Sequence, residues 1–145
     1  MHIRAPYSFN SLAGMVHSKR TAANASDALL AHDHPASAGH GSGYNYVNRY
    51  DVLPDGTLTN GKLLIDLSKE TERGVTDGMR VDTKGNLYET GPGGVWIISP
   101  EGKHLGTIRA PEQATNVGFG DADKKTLYIA ARTGIYRIRV NTPGI

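Results

Sequence analysis

The chain contains Leu87-Tyr88-Glu89-Thr90-Gly91-Pro92-Gly93-Gly94-Val95-Trp96-Ile97-Ile98 near its centre, and this stretch predicts the fold. Forty residues later the same pattern recurs as Leu127-Tyr128-Ile129-Ala130 and Gly134-Ile135-Tyr136-Arg137-Ile138. Repeats of roughly 40 to 50 residues that consist of short strands are typical of β-propeller blades. Because one blade cannot bury both of its faces alone, the repeat predicts stacked antiparallel sheets.

Short strands separated by Gly, Asp, Asn and Pro turns continue from residue 44 to the end of the chain. At roughly 40 residues per blade, they predict an all-β fold with about two and a half four-stranded antiparallel blades, a partial β-propeller. The predicted strands are 44–52, 62–67, 77–81, 86–90, 94–99, 103–109, 116–120, 126–130 and 134–140.

Residues 1–43 differ in composition from the rest of the chain, being rich in Ala, Ser, Gly and His. They show no periodicity that would bury one face, which predicts a mobile N-terminal segment. A short helix over residues 22–31 is the one element that this segment suggests, and it would be marginal in isolation. Two regions are therefore expected, a mobile segment over 1–43 and a propeller-like region over 44–145.

Composition excludes several classes of function. The 145 residues include 16 basic and 14 acidic side chains, for a net charge of +2, and no long basic cluster that would predict nucleic-acid binding. The absence of Cys excludes disulfides, thiolate metal sites and thiol nucleophiles. The sequence lacks an apolar run of signal-peptide or membrane-spanning length, so we expect a soluble, cytoplasmic protein.

Three motifs in the first repeat resemble the gluconolactonase family, which also includes senescence marker protein and luciferin-regenerating enzyme. They are Val75-Thr76-Asp77-Gly78-Met79-Arg80-Val81-Asp82, Gly85-Asn86-Leu87-Tyr88 and Thr90-Gly91-Pro92-Gly93-Gly94-Val95-Trp96. The resemblance covers roughly residues 46–144 and corresponds to the C-terminal part of the family's fold. It implies a six-bladed propeller that holds one divalent ion, usually calcium, at the channel mouth and hydrolyses sugar lactones.

By this resemblance, Asp77 matches an aspartate that binds the metal and is proposed to act in the proton transfer. Two further ligands of the family, a glutamate in a Glu-Gly-Pro context and an asparagine in a Pro-Asn-Gly context, have no counterpart in this sequence. Asn116 begins the strand equivalent to that of Asp77, so we expect it at the same mouth, where it either contacts substrate or caps its strand. The turn at 91–94 either admits substrate closely or only joins two strands.

Two hypotheses for function follow. The first is a metal-dependent hydrolase of sugar lactones, present as its C-terminal blades, in which Asp77 is both the catalytic carboxylate and a metal ligand. The second is a non-catalytic propeller fragment that either acts only in association, through self-association at open blade edges, or has no independent function. For two further residues we expect structural roles: Trp96 packs in a blade interior, and His104 is a solvated residue of an outer strand.

Overall fold

The structure is a computed structural model that describes residues 14–18, 27–33 and 45–145. Every element within these ranges is a β-strand, which confirms the predicted all-β fold, and none of them contains a helix that would cross a membrane. The strands are Gly14–Ser18 (β1), Asp27–Asp33 (β2), Tyr46–Val52 (β3), Leu58–Asp66 (β4), Met79–Val81 (β5), Leu87–Gly91 (β6), Gly94–Ile98 (β7), His104–Arg109 (β8), Ala114–Gly120 (β9), Thr126–Ala131 (β10) and Ile135–Arg139 (β11).

Contacts divide the chain into two units, Met1–Ser68 and Lys69–Ile145. The first unit contains one antiparallel sheet in the order β1-β2-β3-β4. The sequence predicted half a blade here, formed by residues 44–52 and 62–67. The observed sheet has four strands because β1 and β2 extend it on the free side of β3. In addition, β4 begins earlier than predicted, at Leu58, directly after the turn.

The N-terminal segment therefore differs from its prediction. The sequence predicted a mobile segment with at most a helix over 22–31, whereas residues 27–33 form β2 and pair with β3 along its whole length. Ala28 and Leu30 are buried, which is the period-two pattern of a strand. Hydrogen bonds to β3 stabilise a strand that local composition alone does not encode. The rest of residues 1–43 lies outside the described residues, apart from β1.

The second unit contains two antiparallel sheets that follow the repeat closely. One has the order β5-β6-β7-β8, as predicted for a whole blade, and the other has the order β11-β10-β9. Within the part of the chain that the structure describes, this last sheet stops one strand short, as the sequence also predicted. The observed strand bounds differ from the predicted ones by at most two residues in this unit.

A hydrophobic core lies between the two sheets of the second unit. Alternate residues of each repeated strand point into it, and six of its members are buried. The ring of Tyr88 meets the ring of Phe119 edge-on at a centroid distance of 5.1 Å. Burial raises the pKa of the Tyr88 phenol to about 12, helped by the nearby carboxylate of Asp82. The buried members are Tyr88, Val95, Ala114, Val117, Leu127 and Ile129.

The C-terminal tail packs against the second unit at the end where β5 and β9 finish. We call this end of the unit the lower end. Gly144 forms an isolated antiparallel bridge with Asp82, and the Thr83 N–H donates to the Pro143 carbonyl at 2.9 Å. The Gly144 N–H donates to the Lys124 carbonyl at 2.9 Å. The Ile145 N–H donates to the Val81 carbonyl at 3.2 Å, so the tail links β5 to the turn after β9 and fixes β5 at its lower end.

Trp96 has the packing role that the sequence predicted, and it is only 7% exposed. Its indole N–H donates to the Pro92 carbonyl at 2.8 Å, so the polar edge of this large ring is satisfied. His104 is exposed, as expected, but its ring stacks on Trp96 with centroids 4.1 Å apart. The histidine therefore covers the tryptophan and is more than a solvated surface residue.

At the lower end of the last sheet, Asp123 forms an ion pair with Arg139 that predicts a pH dependence. The Arg139 guanidinium donates to Asp123 Oδ1 at 3.1 Å and lowers the pKa of that carboxyl from 3.8 to about 2. Because the pKa is lower in the folded state, the pair stabilises the fold above pH 3.8 and loses that effect as the pH falls through about 2. We expect the difference in unfolding free energy between wild type and Asp123→Asn to shrink over this window in urea titrations.

The matched variant Arg139→Met is expected to show the same pH window, because it removes the other partner of the pair. Arg139→Met also removes a hydrogen bond to Thr126 and an ion pair with Asp121, so it should lose more stability than Asp123→Asn. The double variant should lose less than the sum of the two single changes. A difference between wild type and Asp123→Asn that stays constant from pH 5 to pH 2 would contradict the assignment.

Candidate functional site

Asp77 lies just before β5, at the end of the second unit where β5 and β9 begin, which we call the upper end. Its side chain is exposed, whereas Thr76 before it and Gly78 after it are buried. The two buried neighbours fix the backbone of Asp77, while its carboxylate faces solvent. This arrangement leaves the carboxylate accessible to a ligand from outside.

Asn116 lies beside the residue that follows Asp77. A Cβ atom built on Gly78 would be 2.3 Å from Asn116 Oδ1 and 2.6 Å from Asn116 Cα, so only glycine fits there. The Asn116 side chain is exposed, and its Oδ1 accepts a hydrogen bond from the Val117 N–H at 2.8 Å. The start of β9 therefore packs directly on the start of β5, where the sequence placed both residues.

Two hydrogen bonds attach Gly78 to Thr90 of β6. The Thr90 N–H donates to the Gly78 carbonyl at 2.9 Å, and the Gly78 N–H donates to the Thr90 hydroxyl Oγ1 at 2.9 Å. Thr90 is 0% exposed. Sequence reasoning assigned no role to Thr90, although a threonine opposite an Asp-Gly turn in a buried strand is a usable signal for such a contact.

The turn at 91–94 joins β6 to β7, and the residues leading to Asp77 lie across it. Pro92 and Gly93 are its central residues, and Gly93 has a φ of 78°, which is the requirement of a type II turn. The Gly93 N–H donates to the Arg73 carbonyl at 3.0 Å. The structure therefore gives these glycines the role of a tight turn, which the sequence left as one of two alternatives.

Glu72 and Arg109 form a bidentate ion pair over the same turn. Arg109 Nη1 and Nη2 donate to the two carboxylate oxygens of Glu72 at 2.8 and 3.0 Å. The Arg109 hydrogen bonds lower the pKa of the Glu72 carboxyl. Both side chains are largely exposed, so the pair contributes little to stability, but its fixed geometry orients the segment that leads to Asp77. The wide sequence separation of the pair hid it from sequence reasoning.

Glu112 makes a second polar cluster at the upper end, on the last sheet. Its carboxylate accepts from the Tyr136 hydroxyl at 2.8 Å and from the Thr133 N–H at 2.9 Å. These bonds lower the pKa of Glu112 and raise the pKa of Tyr136. The cluster joins the residues before β9 to the turn between β10 and β11. It therefore fixes the start of β9, the strand that contains Asn116.

Glu89 is an unexpected member of the core, since its carboxyl group is 0% exposed. Its cross-strand neighbours are Met79 on β5 and Trp96 on β7. Carboxyl groups are seldom fully buried, so this residue stands out among those that the sequence treated as part of a strand. The signal was present in the sequence, because Glu89 breaks the apolar pattern that Ile129 keeps in the second repeat.

The described residues alone do not fit the calcium site that the resemblance implies. They contain no group of three or more His, Asp or Glu side chains that is able to hold a metal ion. Calcium takes 6–8 oxygen ligands. At the upper end, Glu72 is paired with Arg109 and Glu112 accepts from Tyr136 and Thr133, which leaves the Asp77 carboxylate and the Asn116 amide. The structure therefore brings Asp77 and Asn116 into the same region without forming a complete metal centre.

Comparisons with known proteins identify the family of this chain. The sequence profile of the SMP-30/Gluconolactonase/LRE-like region matches residues 40–133. The gluconolactonase of Zymomonas mobilis is 37% identical over 101 residues, which are 66% of this chain and 28% of that protein. Regucalcin of Danio rerio is 36% identical over 86 residues, which are 57% of this chain and 28% of that protein. The chain thus spans under a third of the length of these relatives.

Solved structures show the fold. Luciferin-regenerating enzyme superposes with a TM-score of 0.66 at 22% identity, over 81% of this chain and 43% of that chain. A gluconolactonase from Xanthomonas campestris superposes with a TM-score of 0.60 at 23% identity, over 81% of this chain and 34% of that chain. These likenesses confirm the predicted partial propeller-type fold, and the sequence matches confirm the predicted resemblance. The chain belongs to the SMP-30/gluconolactonase/LRE-like family.

Proposed function

We propose that this chain forms part of a metal-dependent hydrolase of sugar lactones. The observation that carries the proposal is the exposed carboxylate of Asp77, held between buried neighbours at the upper end of two sheets, in a chain of this family. Because the chain spans only 28% of the length of its gluconolactonase relative, the activity is proposed for the protein with its remaining blades.

The chemistry of lactone hydrolysis suits a single accessible carboxylate. Water attacks the carbonyl carbon, the bond from that carbon to the ring oxygen breaks, and the ring oxygen takes up a proton to give a hydroxy acid. In our proposal Asp77 accepts the proton from the attacking water, which is the role of a general base. The exposed amide of Asn116 is proposed to bind a hydroxyl group of the sugar.

A divalent cation, calcium by resemblance, is proposed as the cofactor, with Asp77 as one ligand. Such an ion, when bound, would polarise the lactone carbonyl. The described residues supply too few oxygen ligands for calcium, so we propose that ligands from outside the described residues complete the site. We therefore expect the chain alone to respond weakly to calcium.

The alternative is a non-catalytic fragment that acts by association. Two observations favour it, the lack of a three-ligand cluster among the described residues and the exposed side of β11. Ile135 on this strand is 77% exposed and Ile138 is 41% exposed, which is unusual for large apolar side chains of a sheet. Self-association through this edge stays a prediction, as does the cytoplasmic location. The net charge of +2 supports neither a nucleic-acid partner nor an acidic surface.

The test compares the chain with a chimaera in which the matched stretch of the Zymomonas mobilis gluconolactonase is replaced by residues of this chain. Thermal unfolding is measured with and without millimolar calcium, and lactone hydrolysis is followed by acid release. We expect the chimaera to hydrolyse lactones and to unfold at a higher temperature with calcium, because an ion that binds only the folded state stabilises it. The chain alone should hydrolyse no lactone and should be stabilised by calcium only weakly.

An inactive, calcium-blind chimaera that folds cooperatively would remove the hydrolase proposal and leave the association hypothesis. The mass of the chain in solution then decides that alternative. A monomer at micromolar concentration would contradict self-association, whereas a dimer would support it. Sodium chloride at the same ionic strength serves as the control for a general salt effect on unfolding.

A further inference from the structure

The pairing of β5 with β6 begins with an unusual pair of hydrogen bonds. On one side the bond is ordinary, since the Thr90 N–H donates to the Gly78 carbonyl at 2.9 Å. The return bond from the Gly78 N–H is made to the side-chain hydroxyl of Thr90, also at 2.9 Å. A side chain thus supplies an acceptor that the backbone supplies in a regular antiparallel ladder.

This hydroxyl is held firmly in place. Thr90 is 0% exposed. It lies on β6, one of the two central strands of its sheet, opposite Val95 of β7. Threonine is branched at Cβ, so its χ1 angle has few alternatives, and burial removes those that remain. The acceptor therefore has a fixed position against which the Gly78 peptide is aligned.

Gly78 is also enclosed on its other side. Its Cα faces the backbone of Asn116, where an added Cβ atom would come within 2.6 Å of the Asn116 Cα. The peptide between Asp77 and Gly78 is consequently held between β6 and β9. Its orientation determines the direction in which the neighbouring Asp77 side chain leaves the backbone.

We propose that Thr90 is a positioning residue for Asp77. Its hydroxyl fixes the peptide from which the Asp77 carboxylate projects into solvent at the upper end. The proposal rests on the proposed function, in which Asp77 takes a proton from water during lactone hydrolysis. Proton transfer requires a donor and an acceptor at hydrogen-bond distance, so a small rotation of this peptide has a large effect on rate.

Three variants of the full chain separate the hydroxyl from the bulk of the side chain. Thr90→Val keeps the shape and removes the acceptor, which leaves the buried Gly78 N–H without that bond. Thr90→Ser keeps the acceptor and removes only a methyl group. Thr126→Val is the matched control, because Thr126 is 2% exposed and its hydroxyl donates to Asp121 at the lower end.

The measurement is amide hydrogen exchange by NMR, together with the chemical shift of the Asp77 carboxyl carbon. We expect Thr90→Val to speed exchange at Gly78 roughly tenfold, which is the equivalent of one net hydrogen bond. The Asp77 carboxyl signal should shift in Thr90→Val and return in Thr90→Ser. Exchange at Ile98 of β7, which is 0% exposed, reports global stability. In Thr126→Val the ratio of Gly78 exchange to Ile98 exchange should stay at its wild-type value.

Kinetics in the chimaera provide the second readout. Thr90→Val is expected to lower kcat roughly 10- to 100-fold with little change in KM, and Thr90→Ser is expected to restore most of it. Unchanged Gly78 exchange in Thr90→Val, or a Thr90→Ser variant as impaired as Thr90→Val, would overturn the positioning role. If the unmodified chimaera hydrolyses no lactone, the proposed function fails, while the exchange and the Asp77 signal still decide the role of Thr90.

Discussion

Asp77→Asn in the chimaera is expected to lower the rate of lactone hydrolysis by roughly 10²- to 10⁴-fold, which is the usual contribution of a general base. Asparagine has the same shape but accepts no proton at neutral pH and carries no charge for a cation. Because Asp77 is exposed, the free energy of unfolding should change by no more than about 0.5 kcal/mol. The stabilisation by calcium should disappear at the same time.

The measurements are initial rates of acid release and thermal unfolding with and without calcium. Asp55→Asn is the matched control, since Asp55 is an exposed turn carboxylate of the first unit that accepts from the Thr57 N–H at 2.9 Å. It should leave both the rate and the calcium effect unchanged. An Asp77→Asn variant that keeps its rate would exclude Asp77 as the base, and one that fails to fold would make Asp77 a structural residue.

Trp96→Ala is expected to give the largest loss of stability, about 3–5 kcal/mol, as is typical when a buried aromatic side chain is truncated. Trp96 is 7% exposed, so the change opens a cavity beside the Glu89 strand. It also leaves the Pro92 carbonyl without the indole donor and removes the ring on which His104 stacks. Because Pro92 belongs to the turn on which residues 72–74 lie, the upper end should loosen with it.

Urea unfolding followed by circular dichroism measures this effect, since the chain has no second tryptophan for fluorescence. Trp96→Phe keeps an aromatic ring without the N–H donor and should lose less stability than Trp96→Ala. His104→Ala removes the stacking on Trp96 together with an exposed hydrogen bond to Thr107, and we expect it to cost about 0.5–1.5 kcal/mol. Equal losses in Trp96→Phe and Trp96→Ala would mean that the hydrogen bond to Pro92, and not packing, is what Trp96 contributes.

The strands of the second unit were predictable because their information is local. Alternation of apolar residues and the Gly, Pro and Asn turns determine where a strand begins and ends. The repeat then determines how the strands pair, because hairpins with short turns leave few alternatives. The positions of Asp77 and Asn116 at one end follow from the same repeat, since Asp77 lies just before β5, Asn116 lies near the start of β9, and each strand is the first of its repeat.

The first unit shows where local information ends. Nothing in the composition of residues 27–33 predicted a strand, and Leu29 and Leu30 suggested a marginal helix instead. A strand forms there because β3 offers a row of backbone donors and acceptors along a free edge, and pairing satisfies them. Such a partner is distant in the sequence, so no window of the chain contains the signal.

By itself, the sequence determined the all-β class, the repeat of the sheets, the family and the residue that we propose as the base. The tertiary structure alone decided what surrounds that residue: the Thr90 hydroxyl on Gly78, the backbone of Asn116 against the same glycine, and Glu72 paired with Arg109. The physical reason is the separation in sequence between the interacting residues. Strand periodicity and turn chemistry act over a few residues, whereas each of these contacts joins residues at least 12 positions apart. Each depends either on how strands pair within a sheet or on how one sheet lies against the next.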